Sequence, residues 1–171
     1  MSRTTAYKTK PKRRREGKTD YGKRLNLLKS GTNRLVVRIS NNEVVAQIVK
    51  YNQKGDETIV NTTSMELKKL GYTGHKGNVC AAYLTGLLCG KKAVTKKAKD
   101  AVLDMGLHTP VRGSNVYAVL KGALDAGMTI PHDKDVLPND ERVLGKPISD
   151  YKKTDLKVDE IKKKILSEKH G

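Results

Sequence analysis

The sequence predicts a mixed α/β (α+β) fold: a three-strand antiparallel meander plus one parallel strand, with helices packed on the sheet and a basic N-terminal arm. Two observations and one rule of strand connection predict it. β-Branched runs follow one another between residues 34 and 62, separated by two short polar turns. A long apolar helical run then precedes one more strand-like segment, and a second helix follows that segment. Strands joined by tight turns must be antiparallel, whereas a strand reached through a helix lies parallel to an earlier one.

The elements read in order as follows. Tyr21–Ser30 suits a short helix, with Leu25 and Leu28 three apart and Gly31 as its stop. Arg34–Ser40 is a β-branched strand, Asn41–Asn42 a turn, Val44–Tyr51 a second strand, Asn52–Asp56 a second turn, and Glu57–Thr62 a third strand. Ser64 suits the N-cap of a short helix ending near Gly71. The longest helix runs from Gly77 to about Lys97, with Ala81, Leu84, Leu87 and Leu88 on one side. Gly86 and Gly90 inside it imply close approach to the sheet. Ala101–Leu107 is apolar on both faces, as expected of a central strand covered by helices. Ser114 opens a helix through Ala126, with Val116, Leu120, Ala123 and Leu124 inward and Gly127 as its stop. Pro131, Pro138 and Pro147 punctuate a loop-rich segment. Asp155–Glu168 is a charged helix with Val158, Ile161 and Ile165 on one stripe, expected to dock weakly or not at all without a partner. The resulting division is an arm and short helix (1–30), a sheet-and-helix domain (31–130) and a C-terminal extension (131–171).

Charge decides the class of partner. There are 35 Lys+Arg against 18 Asp+Glu, a formal net charge of +17, which points to a polyanion. A small acidic substrate needs one pocket rather than a whole cationic surface. From Arg3 to Lys29 eleven basic residues face two acids, Glu16 and Asp20, so about half of the excess lies in the first sixth of the chain. Seven of the nine Arg lie at or before Arg38. Clustered arginine suits bidentate phosphate binding and base stacking better than scattered lysine does. Residues 1–20 hold too little apolar surface to fold alone and are expected to stay extended and disordered until bound. Tyr7 and Tyr21 are interleaved with that charge, as base stacking on RNA requires. There is no Trp and no Phe, so an aliphatic core is expected.

Other classes are poorly supported. The longest apolar stretch, Val79–Leu88, is broken by Thr85 and Gly86 and is short of the roughly 20 residues of a membrane span. The basic start has no apolar region behind it and does not read as a secretory signal. Two cysteines, Cys80 and Cys89, make no disulfide framework, so the cytoplasm is the default compartment. Four His and two Cys form no short-spaced ligand pair for a metal. Asp104, at a strand end, stands where a nuclease could place a metal-binding carboxylate, but nothing brings Glu66 and Asp125 to it. No cofactor motif and no catalytic triad appears. Gly74–His75–Lys76–Gly77 reads either as a turn with glycines for backbone geometry or as a phosphate clamp. Arg112, in the loop leading to a helix N-terminus, is either a nucleic-acid contact or a surface cation.

Several runs together carry a family resemblance: Arg13–Arg14–Arg15–Glu16–Gly17–Lys18–Thr19–Asp20–Tyr21, Lys23–Arg24–Leu25, Arg34–Leu35–Val36–Val37–Arg38, Ala82–Tyr83–Leu84–Thr85–Gly86–Leu87–Leu88, Leu103–Asp104–Met105–Gly106–Leu107 and Val119–Leu120–Lys121–Gly122–Ala123. Over roughly residues 7 to 151 the chain resembles the archaeal large-subunit ribosomal proteins of the L-eighteen family. The resemblance implies a ribonuclease-H-like but non-catalytic fold. It also implies binding to 5S rRNA, contact with large-subunit rRNA and neighbouring ribosomal proteins in the central protuberance, and no membrane or small-molecule substrate. The family's RNA-inserting segment carries over to Lys12, Arg13, Arg14, Arg15, Lys18, Tyr21, Lys23 and Arg24, and by extension to Lys29, Arg34, Arg38, Lys76 and Arg112. The alternatives are a metal-dependent ribonuclease with an RNA-binding arm and a general nucleic-acid-compacting protein.

Overall fold

The computed structural model of the chain describes residues 8–152 and 156–167. Arg3 and Tyr7, with the expectations placed on them, lie outside these. The arm begins with a single helical turn, α1 (Lys12–Arg15), followed by α2 (Tyr21–Leu28). The extended reading of residues 1–20 is thus corrected at α1. Asp20 starts α2 because its Oδ1 accepts from the backbone N–H groups of Gly22 and Lys23 at 2.9 and 3.1 Å.

β1 (Asn33–Ile39), β2 (Val44–Lys50) and β3 (Glu57–Thr63) form the antiparallel meander, and β4 (Ala101–Asp104) joins β1 in parallel. The order is β3-β2-β1-β4. The expectation of a central fourth strand is corrected: β4 has four residues and stands at the edge. Backbone bonds shield its outer side, from Ala101 N–H to the Thr129 carbonyl at 3.2 Å and from Thr129 N–H to the Lys99 carbonyl at 3.0 Å. The edge is therefore partly closed, as strand edges in soluble proteins usually are.

Strand alternation sends Leu35, Val37, Ala46, Ile48 and Val60 to one face, all buried. The central helix α3 (Val79–Thr95) and the second helix α4 (Asn115–Asp125) form the core with that face. α5 (Asp140–Leu144) and α7 (Val158–Ser167) pack on α3, and α6 (Lys146–Lys152) lies between them in the chain. Enclosed by β2, β3, α4, α5 and α7, α3 buries every residue from Cys80 to Gly90 rather than a single stripe. Asn78 caps it, accepting from Ala81 N–H at 2.7 Å. Three tyrosines, Tyr72, Tyr83 and Tyr117, enlarge the aliphatic core. Tyr83, fully buried, donates to Asp125 Oδ2 at 2.6 Å, and burial together with that carboxylate raises its hydroxyl pKa. Burial likewise pushes the Cys80 thiol up to about 11.

Four further expectations are corrected. Gly86 and Gly90 approach α4 and not the sheet: a Cβ on Gly86 would collide with the Val119 carbonyl, and one on Gly90 with Ala126 and Ala123. Gly122 makes the reciprocal approach to the Tyr83 carbonyl. Ser64 does not cap a helix. Its N–H and hydroxyl both bond Val44, at 2.8 and 3.0 Å, and extend the sheet, while only a 3-10 turn (Glu66–Lys68) follows. The Pro-punctuated segment contains a 3-10 turn at Lys134–Val136, α5 and α6, with Pro147 in the first turn of α6, where its missing N–H is harmless. The C-terminal helix docks fully, with Val158, Ile161 and Ile165 buried beside Leu156. Lys162 lies 3.7 Å from Asp125 and 5.3 Å over the Tyr83 ring. Among the described residues, no helix is long and apolar enough to cross a membrane.

The opposite face of the sheet holds one buried ion pair. Arg34 Nη1 reaches Asp104 Oδ2 at 2.8 Å, with both residues at least nine-tenths buried. Removing one partner strands the other, so Asp104→Ala should cost about 3–5 kcal/mol, read as a lower urea midpoint at constant m. Gly86→Ala should cost about 3 kcal/mol because the Val119 backbone cannot yield, measured in the same titration.

Candidate nucleic-acid interface

β1 and β4 set the geometry. In a parallel register that places Val36 beside Asp104, Arg34 and Arg38 flank Asp104 on the same face. Asp104 serves both: Oδ2 takes Arg34, Oδ1 takes Arg38 Nη2 at 3.2 Å, and the Asp104 carbonyl takes Arg38 Nη1 at 2.9 Å. The guanidinium of Arg38 lies against Gly106, whose positive φ of 65° turns the chain away after β4. A Cβ there would crowd the guanidinium carbon at 2.9 Å.

The same network reaches the arm. Asp56, in the turn before β3, accepts from Arg34 Nη2 at 2.6 Å and from Arg24 Nη2 of α2 at 2.8 Å on a single oxygen, Oδ2. Three arginines and two aspartates thus alternate from α2 across the sheet to β4. The buried Nε of Arg34 has no partner among the described residues. That cost is tolerable because the other guanidinium nitrogens are charge-paired.

Between α2 and the Met105–Pro110 loop opens a cleft of about 550 Å³. Arg13, Lys18, Lys23, Arg24, Arg34 and Arg38 line it, against Asp20 and Asp104. Six of the thirteen residues expected to touch RNA therefore share one site. Arg34 enters it as a buried and doubly paired side chain, which suits it to hold Asp56 and Asp104 rather than to offer a free fork.

The others lie elsewhere. Lys12, Arg14 and Arg15 are exposed on α1, and Lys29 is exposed at the end of α2. Tyr21 is 38% exposed and Leu25, one helical turn on, 58%, so α2 carries an uncovered apolar pair on one side. Arg112 is exposed in a neighbouring hollow with Arg142, which adjoins the cleft through His108. Lys76 is half-buried and does not line the cleft. The glycines around it are taken up by packing, Gly74 against Tyr72 and Leu156, and Gly77 against the Asn41 carbonyl.

The carboxylates weighed for catalysis do not converge. Asp104 is held by two arginines, Glu66 pairs with Lys92 at 2.7 Å, and Asp125 takes Tyr83 and Lys162. Among the described residues no group of three His, Cys, Asp or Glu could hold a metal ion. Sequence reasoning missed Asp20 and Asp56 as organisers, and the cleft's Leu27, Met105, Leu107 and His108. Asp20 alone left a usable signal, an N-cap residue just ahead of a helical run.

Comparison with known proteins supplies the identity. A family described as "Ribosomal large subunit proteins 60S L5, and 50S L18" matches residues 5–102 and 94–133. The large ribosomal subunit protein uL18 of Methanothermobacter thermautotrophicus (strain Delta H) is 46% identical over 165 residues, covering 96% of this chain and 85% of that protein. With a family match over more than half its length and that identity across nearly all of it, the chain belongs to the archaeal-type L-eighteen (uL18) family of large-subunit ribosomal proteins.

Proposed function

We propose that the chain binds 5S rRNA and helps attach it to large-subunit rRNA in the central protuberance, beside neighbouring ribosomal proteins, as a structural and non-catalytic component. The observation that carries this reading is the cleft. It gathers arginine and lysine from the arm, from α2 and from β1 into one site, in a chain of this family.

The chemistry follows from the residues. Exposed cations on α1 and at the cleft displace counterions from RNA phosphates, which supplies affinity. Tyr21 offers an exposed ring for an unpaired base. Asp56 and Asp104 do not bind RNA; they hold the arginines that aim the arm, and so work as positioning residues. Of the expected contacts, Lys12, Arg13, Arg14, Arg15, Lys18, Tyr21, Lys23, Arg24 and Arg38 carry the proposal, with Lys29 and Arg112 at its margins. The scarcity of free carboxylates at the site disfavours the ribonuclease alternative. Separate aimed elements disfavour indiscriminate compaction of nucleic acid.

Removing residues 1–19 spares Asp20 and hence the α2 cap, and should leave the unfolding midpoint nearly unchanged. Tight 5S rRNA binding should disappear. For the full chain, about 8 neutralised phosphates give log K against log salt a slope of about −6 to −7, and a filter-binding titration reads both effects. Asp56→Ala removes a negative charge and releases Arg24, so affinity for unrelated RNA should rise while preference for 5S rRNA falls by about three- to tenfold. A competition assay between the two RNAs checks this.

A further inference from the structure

The cleft has an apolar lining that phosphate binding leaves unexplained. Besides its cations it is lined by Leu27, Leu103, Met105 and Leu107. A phosphate keeps its hydration and needs donors, so it gains nothing from such surface. A nucleobase has a face that gains from covering both apolar side chains and guanidinium planes.

The cleft is also polarised along its depth. Arg13, Lys18 and Lys23 are exposed, whereas Asp104 is only 6% exposed and Leu103 and Met105 are half-buried. At the buried end the cation Arg34 is already committed to Asp104 and Asp56 and the aliphatic carbon offers a phosphate no donor, while the exposed cations at the surface attract one. Leu107 stands 55% exposed among these groups, an apolar side chain with bare surface at a cationic site. The volume, about 550 Å³, falls within the range of about 300–1,000 Å³ that holds one small organic ligand.

We propose that this cleft takes one unpaired nucleotide of the bound RNA, its base inward against Leu103, Met105 and Leu107, its phosphate outward on Arg13, Lys18 and Lys23. This rests on the reading that the chain binds structured RNA, and it adds a requirement for a splayed base at that point. Arg38, laid flat against Gly106 and 48% exposed at its side chain, supplies a guanidinium plane for stacking.

The test compares two RNAs of equal length and charge on the full chain at fixed salt: a hairpin with an unpaired loop and a fully paired hairpin closed by a minimal turn. The native protein should prefer the looped RNA by about tenfold, the scale of one stacked base. Leu107→Ser, a neutral change at an exposed position, should bring the ratio near one. 2-Aminopurine placed in the loop should change its fluorescence on binding to the native protein, a readout that needs no variant. Equal affinity for the two RNAs, an undiminished ratio in a folded Leu107→Ser protein, or silent 2-aminopurine at every loop position overturns the proposal. Neither RNA is 5S rRNA, so a failure of the 5S assignment would show in competition against 5S rRNA and leave this ratio unmoved.

Discussion

Asp104 carries two guanidinium groups on one carboxylate, and that contact ties four parts of the chain together. It fixes the parallel register of β4 on β1, because only with Val36 beside Asp104 do Arg34 and Arg38 fall on either side of it. A slip of one residue would turn Asp104 into the helix-packed face, where an unpaired carboxylate is prohibitively costly. Through Arg34 the contact extends to Asp56, and from Asp56 to Arg24 on α2. The arm thus meets the sheet through a chain of charges, with Leu27 and Leu28 of α2 half-buried beside it. This is consistent with α2, whose residues are all at least partly exposed.

The other half of the molecule is held by the opposite chemistry. α3 and α4 meet so closely that Gly86, Gly90 and Gly122 leave no room for a side chain at the crossing. Close backbone approach substitutes for bulk in a chain without Phe or Trp. Dispersion contacts, small individually, accumulate when two helices come that near. The sheet therefore has a dry, tightly packed face toward the helices and a charged face toward the arm. The site sits on the second because the first has no space left.

Much of this was legible in the residues, for reasons that can be named. The meander was readable because β-branched runs with tight Asn and Gly turns allow only one local pairing, and the parallel fourth strand because a helix intervenes. Its position at the edge was not, since apolar residues on both sides of a strand do not say whether the neighbour beyond is a strand or the Thr129 backbone. Gly86 and Gly90 announced a close approach, but helix periodicity cannot say which partner approaches. The stripe Val158, Ile161, Ile165 was visible, yet its docking depended on the apolar surface of α3, which only the assembled fold creates. At the site, the density of Arg and Lys showed where cations would gather, and the cleft draws Arg13, Lys18, Lys23 and Arg24 from that stretch. The carboxylates that organise those cations were hidden by distance in sequence: Asp56 lies 32 positions from Arg24, and Asp104 lies 70 from Arg34.

The burial of α3 on every side bears on how the polypeptide is made. The surface of α3 that receives Ile161 and Ile165 is finished by a helix about 70 residues downstream. During vectorial synthesis the sheet and α4 can close over two flanks of α3 while this third flank remains bare. A nascent chain paused there presents an aliphatic strip on an otherwise cationic body, the kind of surface chaperones hold. The packing around α3 is therefore complete only after α7 has emerged and docked.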